Sequence, residues 1–170
     1  DEVTFILRLL SDNWASTATS LVSDGTISAS HNETPKFIDV RSIQPNEGRR
    51  VDIDSQSVIV VFEDSSSTDY PTIDYSVRNE TFTFTLHIRV LHRRDFTELT
   101  FSRDRLKALY VIARHILESK AFRPKVVDGS NNTEGSADLI KLTSRSEAND
   151  RNKRLLGYKV SVELKRFAVC

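Results

Sequence analysis

The chain has 170 residues and is 38% apolar, enough for one sizeable core and too little for two. Its 24 Lys and Arg balance 24 Asp and Glu, so no net field draws it to nucleic acid or an anionic membrane, and any such contact must come from local charge patterning. The longest apolar runs, such as Val58 to Phe62, fall far short of the roughly 20 residues a spanning helix needs, and the single Cys170 excludes an intrachain disulfide framework or thiolate metal cluster.

The expectation is therefore a soluble, cytoplasmically assembled protein without a membrane partner. The absence of Met, with Asp1 in first place, points to a chain trimmed at its start. Asn32, Asn79 and Asn131 head Asn-x-Thr sequons, which matter only in a secreted protein, and no signal peptide is visible.

In chain order, Phe5, Ile6, Leu9, Leu10 and Trp14 sit at helical spacing behind Asp1 and Glu2, which predicts a short amphipathic helix. The Ser/Thr/Ala run from Ala15 to Ser20 prefers nothing strongly. Residues 23–35 read as turns punctuated by Asp24-Gly25 and Pro35. Short alternating strands are predicted at Phe37 to Ile43 and Arg50 to Ile53, around a Pro45 to Gly48 turn. Ser57 to Phe62 is a continuous apolar run, read as a mid-sheet strand buried on both sides, and residues 64–70 as a solvated loop.

Ile73, Tyr75 and Val77 alternate with polar residues. Asn79-Glu80 then reads as either a hairpin turn or a bulge before the longest strand of the chain. In that strand Phe82, Phe84, Leu86, Ile88 and Val90 alternate with Thr81, Thr83, Thr85, His87 and Arg89, giving one apolar and one wet face over roughly 35 Å at about 3.3 Å per residue. A helix follows, with Ser102 as its cap, Leu106, Leu109, Tyr110, Ala113, Ile116 and Leu117 on its apolar face, and Pro124 as a stop. Residues 128–136 are expected to be a loop, Ala137 to Thr143 a short strand, and 144–154 a polar loop. The closing strand carries Leu156, Tyr158, Val160, Val162 and Leu164 on one face. The whole reads as a single α+β domain over residues 1–170: an antiparallel or mixed sheet packed against one long helix and a short N-terminal helix.

Candidate chemistry is sparse. Gly occurs five times and never at phosphate-loop spacing. His31, His87, His92 and His115 lack any metal-ligand spacing and are expected to be surface groups. Glu163-Leu-Lys165 matches the acidic-x-Lys tripeptide of metal-dependent nucleases, although alternating Glu and Lys is also what a solvated strand face carries. Two mixed-charge clusters remain. One gathers Arg89, His92, Arg93, Arg94, Arg103 and Arg105, the other Arg145, Arg151, Lys153 and Arg154, with Asp95, Glu98, Asp104, Glu147 and Asp150 interleaved. Mixed signs suit a protein interface, where charge sets partner and register, better than DNA. Arg93, Arg94, Arg145, Glu147, Asp150, Arg151, Lys153 and Arg154 are the candidate interface residues.

The amphipathic opening from Phe5 to Trp14, the strands from Val58 to Val90, the Leu106 to Leu117 helix, and a polar stretch leading into Gly157-Tyr-Lys-Val-Ser-Val-Glu-Leu164 resemble, in order and length, the tail-terminator (tail-completion or neck) proteins of long-tailed bacteriophages and related archaeal viruses. The resemblance implies a small protomer that closes into a ring, typically a hexamer, at the head-proximal end of the tail. Such a ring ends growth of the tail-tube protein and offers a surface to the head connector, while DNA passes through its lumen without sequence specificity. It implies a virion protein assembled in the host cytoplasm, with no catalytic residue, metal or cofactor. The Ser23 to Asp54 region departs from the pattern and leaves a head-tail adaptor or tail-tube relative as the alternative. Exposed strand edges would be satisfied by ring closure, and segments 64–70, 128–136 and 144–154 would order on binding neighbours.

Overall fold

A computed structural model describes residues 2–39, 57–91, 99–149 and 155–169. Among these the fold is α+β. Helix α1 spans Glu2–Ser23, followed by strands β1 (Lys36–Asp39), β2 (Ser57–Asp69) and β3 (Val77–Leu91). Helix α2 spans Leu99–Ser119 and is followed by β4 (Lys125–Val127), β5 (Thr133–Ser136), β6 (Leu139–Glu147) and β7 (Leu155–Val169). The main sheet runs β1-β2-β3-β7-β6, and β4 pairs with β5 in a separate ribbon. Only β1 and β2 run parallel, which makes the main sheet mixed.

The long alternating strand is the sheet's centre. β3 pairs with β2 on one side, from Asn79 to Val90, and with β7 on the other along all of Val77–Leu91. Its odd-even alternation therefore propagates across the sheet. Ile88 lies beside Ile59 and Tyr158, and Leu86 beside Val61 and Val160. This apolar face, with Phe84, Val90, Val162, Leu164 and Ile140, forms one core with both helices. α2 contributes Leu106, Leu109, Ile112, Ala113, Ile116 and Leu117 at the spacing its sequence announces. α1 contributes Ile6, Leu9, Leu10 and Trp14, each fully buried. The Trp14 indole N–H donates to the Glu33 carbonyl at 2.9 Å, which satisfies its one polar atom.

Several expectations need correction. The N-terminal helix is not short: it runs for 22 residues against 21 for α2, through the Ser/Thr/Ala run. Hydroxyls at Ser16, Thr19 and Ser23 bond back to carbonyls three or four residues earlier, and Ala18 and Leu21 reach the core, so packing outweighs weak propensity. Ser102 is not a cap. It lies buried within α2, which starts at Leu99.

Residues 64–69 are strand rather than loop, because β2 continues to pair with β3 as far as Asp69. Asn79 and Glu80 are neither turn nor bulge. They are regular positions of β3, the bulge sits between Glu63 and Ser65, and the turn occupies residues 70–76. Within 128–136, Thr133–Ser136 is strand, and within 144–154 β6 extends to Glu147.

Other expectations hold. Ser57 to Val61 is closed to solvent on both faces and lies between β1 and β3. Ser23 closes α1, and residues 24–35 are turns and irregular chain with one short 3-10 helix, Ala29–His31. Of the two short strands predicted after Pro35, the first begins as β1. The remainder, with the Pro45 to Gly48 turn, lies outside the described residues.

Ile88 is fully buried at the sheet's centre, and Ile73 is fully exposed at the turn. Ile88→Ala is expected to lower unfolding stability by about 2–5 kcal/mol, and Ile73→Ala to change it by less than about 0.5 kcal/mol. Urea denaturation of both variants under conditions that keep the chain monomeric measures the contrast.

Candidate interface

The helices cover the sheet where β3 runs from Phe82 to Val90, and Glu2 of α1 pairs with Arg166, opposite Glu80. The start of β3, with the end of β2, extends past them as an arm. Residues 63–69 of β2 are exposed, and the turn is built by side chains. Asp74 Oδ1 accepts from the Ser76 amide at 3.1 Å, and Thr72 Oγ1 accepts from the Val77 amide at 3.2 Å. The Thr72 carbonyl accepts from the Tyr75 amide at 3.1 Å, with Tyr75 held at φ 55°. The rings of Tyr70 and Tyr75 meet edge to face at 5.3 Å. An ordered turn results, yet Ile73 at its apex is 100% exposed, Tyr75 65% and Tyr70 44%. Phe167, opposite Asn79 in the register, is 53% exposed on the same end of the sheet.

The arm is acidic. Glu63, Asp64, Asp69, Asp74 and Glu80 face one base, Arg78, which pairs with Glu80 at 3.1 Å. Hydrogen bonds from the Ser76 hydroxyl and amide hold the Asp74 carboxyl below the usual carboxylate range, so it stays charged.

At the other end of the sheet lies a cleft of about 290 Å³ lined by Arg103, Leu106 and Lys107 of α2, Glu147 and Asn149 at the end of β6, and Leu156 and Tyr158 of β7. β6 and β7 approach closely here. The Ala148 amide donates to the Gly157 carbonyl at 2.9 Å, the Gly157 amide donates to Asn149 Oδ1 at 3.2 Å, and a Cβ on Gly157 would stand 2.9 Å from the Ala148 carbonyl oxygen. Only glycine fits that approach. Beside the cleft the Arg145 guanidinium lies over the Tyr110 and Tyr158 rings, at 4.7 and 4.8 Å from their centres.

Of the eight candidate interface residues, Arg145 and Glu147 are thus placed. Arg145 stacks on two rings, and Glu147 shares the cleft with Arg103 and Lys107. One described member of each mixed-charge cluster, Arg103 and Glu147, lines this cleft. Arg93, Arg94, Asp150, Arg151, Lys153 and Arg154 lie outside the described residues. Arg105 turns inward. It pairs with Glu33 at 2.8 Å, reaches the Ser30 carbonyl at 3.3 Å and stacks over Phe101 at 4.9 Å, while Glu33 Oε1 accepts from the Ser57 hydroxyl at 2.8 Å. This network ties the 24–35 turns to α2 and to the start of β2.

The histidines are not uniformly on the surface. His115 is exposed, but His31 is only 7% exposed, and burial followed by the Arg105 charge lowers its pKa. His87 stacks on Phe62 at 4.7 Å, and its Nδ1 lies 3.1 Å from an Arg89 nitrogen that can only donate, so Nδ1 accepts. Burial, reinforced by Arg89 and Lys159 and opposed by Asp64, pushes His87 down to about 4.

Glu163 and Lys165 share the sheet face turned from the helices, with Glu163 beside Thr83 and Lys141 rather than another carboxylate. Among the described residues no three His, Cys, Asp or Glu are grouped to hold a metal, and no helix is long and apolar enough to cross a membrane. Asn32 and Asn131 are exposed, whereas Asn79 is half-buried within β3.

The sequence reading missed the tip. Ile73 and Tyr75 were expected in a strand because they alternate with polar residues. The signal against it is Asp74 two residues before Ser76, the spacing of an Asx turn, just after Tyr70-Pro71. Comparison with known proteins finds no matching family model and no matching curated protein.

Two outcomes follow. Arg105→Ala strands Glu33 without its partner and is expected to cost about 1–3 kcal/mol in denaturant unfolding. His87 folds with its pKa below its ordinary 6.5, so the unfolded chain binds the extra proton. Its share of stability is complete above about pH 6.5 and falls as pH drops towards 4. The thermal midpoint is therefore expected to decline across that window and to decline less in His87→Gln, with a residual slope from His31.

Proposed function

We propose that the chain is a structural subunit of a virus tail or neck that acts by binding alone. Copies close into a ring, on the resemblance a hexamer, at the head-proximal end of the tail. The ring ends growth of the tail tube and joins it to the head connector, with DNA passing through the lumen. The protein assembles in the host cytoplasm and resides in the virion.

The observation that carries the reading is the ordered arm with an apolar apex held in water. Such surface is costly in isolation and marks a contact made elsewhere. The cleft of mixed charge at the opposite end of the sheet supports it, because two unlike surfaces on one protomer are what a head-to-tail ring requires. An adaptor or tube subunit would use the same surfaces with other neighbours.

Native mass spectrometry at micromolar concentration tests the reading. A species several times the 19.3 kDa chain mass, seen as annular particles with an open centre by negative-stain electron microscopy, is expected. A chain that stays monomeric up to hundreds of micromolar and yields no annular particles overturns it.

A further inference from the structure

We propose that the β2–β3 arm docks, apex first, into the Arg103/Lys107 cleft of a second copy of this chain, with Ile73 as the anchor. This names the contact that closes the ring and rests on the ring reading above.

Three observations carry it. The first is the state of the tip. Hydrogen bonds accepted by the Thr72 and Asp74 side chains and the Tyr70–Tyr75 contact fix its shape, so little conformational freedom is left to lose on docking, while Ile73 remains wholly in water. The second is charge. Residues 63–80 carry five acids and one base, and Arg166 of β7 stands opposite Glu80, so the arm remains net acidic. Asp69 and Asp74 flank the apex. The cleft offers Arg103 and Lys107 beside Leu106, Leu156 and Tyr158, with Arg145 stacked on Tyr158 at its margin and Glu147 as the one acid among the described residues that line it. An apolar knob with an acidic collar thus meets an apolar floor with a largely basic rim. At about 290 Å³ the cleft exceeds the roughly 150 Å³ that accommodates benzene in an engineered protein cavity.

The third observation is distance. Leu156 on the cleft floor pairs with Val90, and the arm's turn joins β3 at Val77. The thirteen residue steps from Val77 to Val90 span about 43 Å at roughly 3.3 Å each. A tip cannot reach the cleft of its own chain, so knob and hole belong to different copies. A contact between two unlike surfaces repeats around a ring.

The test mixes two single-cysteine proteins, both with Cys170→Ser: one carrying Ile73→Cys, the other Lys107→Cys. A short bismaleimide linker is expected to join them across the pair and not to join either protein to itself. In parallel, Ile73→Asp and the double variant Arg103→Glu/Lys107→Glu are each expected to weaken self-association at least about tenfold, the effect of losing one buried isoleucine or its charged rim. Circular dichroism unchanged from wild type confirms folding.

A ring that persists in both variants without cross-linking overturns this docking and leaves the ring reading standing. Cross-linking between copies that never form a ring supports the docking and overturns the ring. A monomer with no cross-link overturns both.

Discussion

The structure depends on one strand being longer than the core it serves. β3 is hydrogen-bonded on both sides almost throughout, so its backbone needs neither helix nor solvent to remain extended. The two helices cover mainly its second half, where Phe84, Leu86, Ile88 and Val90 are fully buried and Phe82 packs at the edge of the core. The first half, half-buried between β2 and β7, is held straight by that same ladder and leads to an exposed turn. A rigid core at one end and a projecting arm at the other are therefore consequences of a single pairing pattern.

That geometry also explains where the polar groups go. Near the helices they are satisfied inside the protein: Trp14 to the Glu33 carbonyl, Glu33 to Arg105 and Ser57. On the sheet face turned from the helices His87 is held neutral between Phe62 and the cations of Arg89 and Lys159. On the arm, where no core is available, side chains brace the turn locally and the charges left in water are mostly acidic. The cleft at the opposite end gathers charges from α2 and β6 that are distant in sequence. Separation of an acidic knob from a mostly basic hole follows from the length of β3 and gives the protomer two unlike ends.

The elements with one wet and one dry face were legible in the sequence. β3, β7 and α2 each bury alternating or helically spaced residues against the same core, and their periods say so. Elements exposed on both faces were not. Glu63 to Asp69 and Ser144 to Glu147 carry no apolar period because their side chains stay exposed, even where Arg145 lies across the Tyr110 and Tyr158 rings. Only pairing to β3 and β7, invisible in local composition, makes them strands. The second half of α1 was lost for the reverse reason, since its Ser and Thr residues dilute the helical preference of its alanines and the segment is held helical by Ala18 and Leu21 in the core. At the interface, Arg145 and Glu147 were singled out from charge patterning. The grouping of Arg103, Lys107, Leu156 and Tyr158 around Glu147 required the packing of α2 over β7, and Ile73 was hidden because alternation in a turn imitates a strand.

The account stands on the arm being a mating surface rather than an inert projection. Hydrogen–deuterium exchange, compared between dilute protein and protein concentrated enough to raise its mass, examines this without altering the sequence. Slowed exchange appearing together in residues 70–77 and 103–107 is the expected result. A rise in mass with both segments exchanging as fast as in the dilute chain would contradict the account.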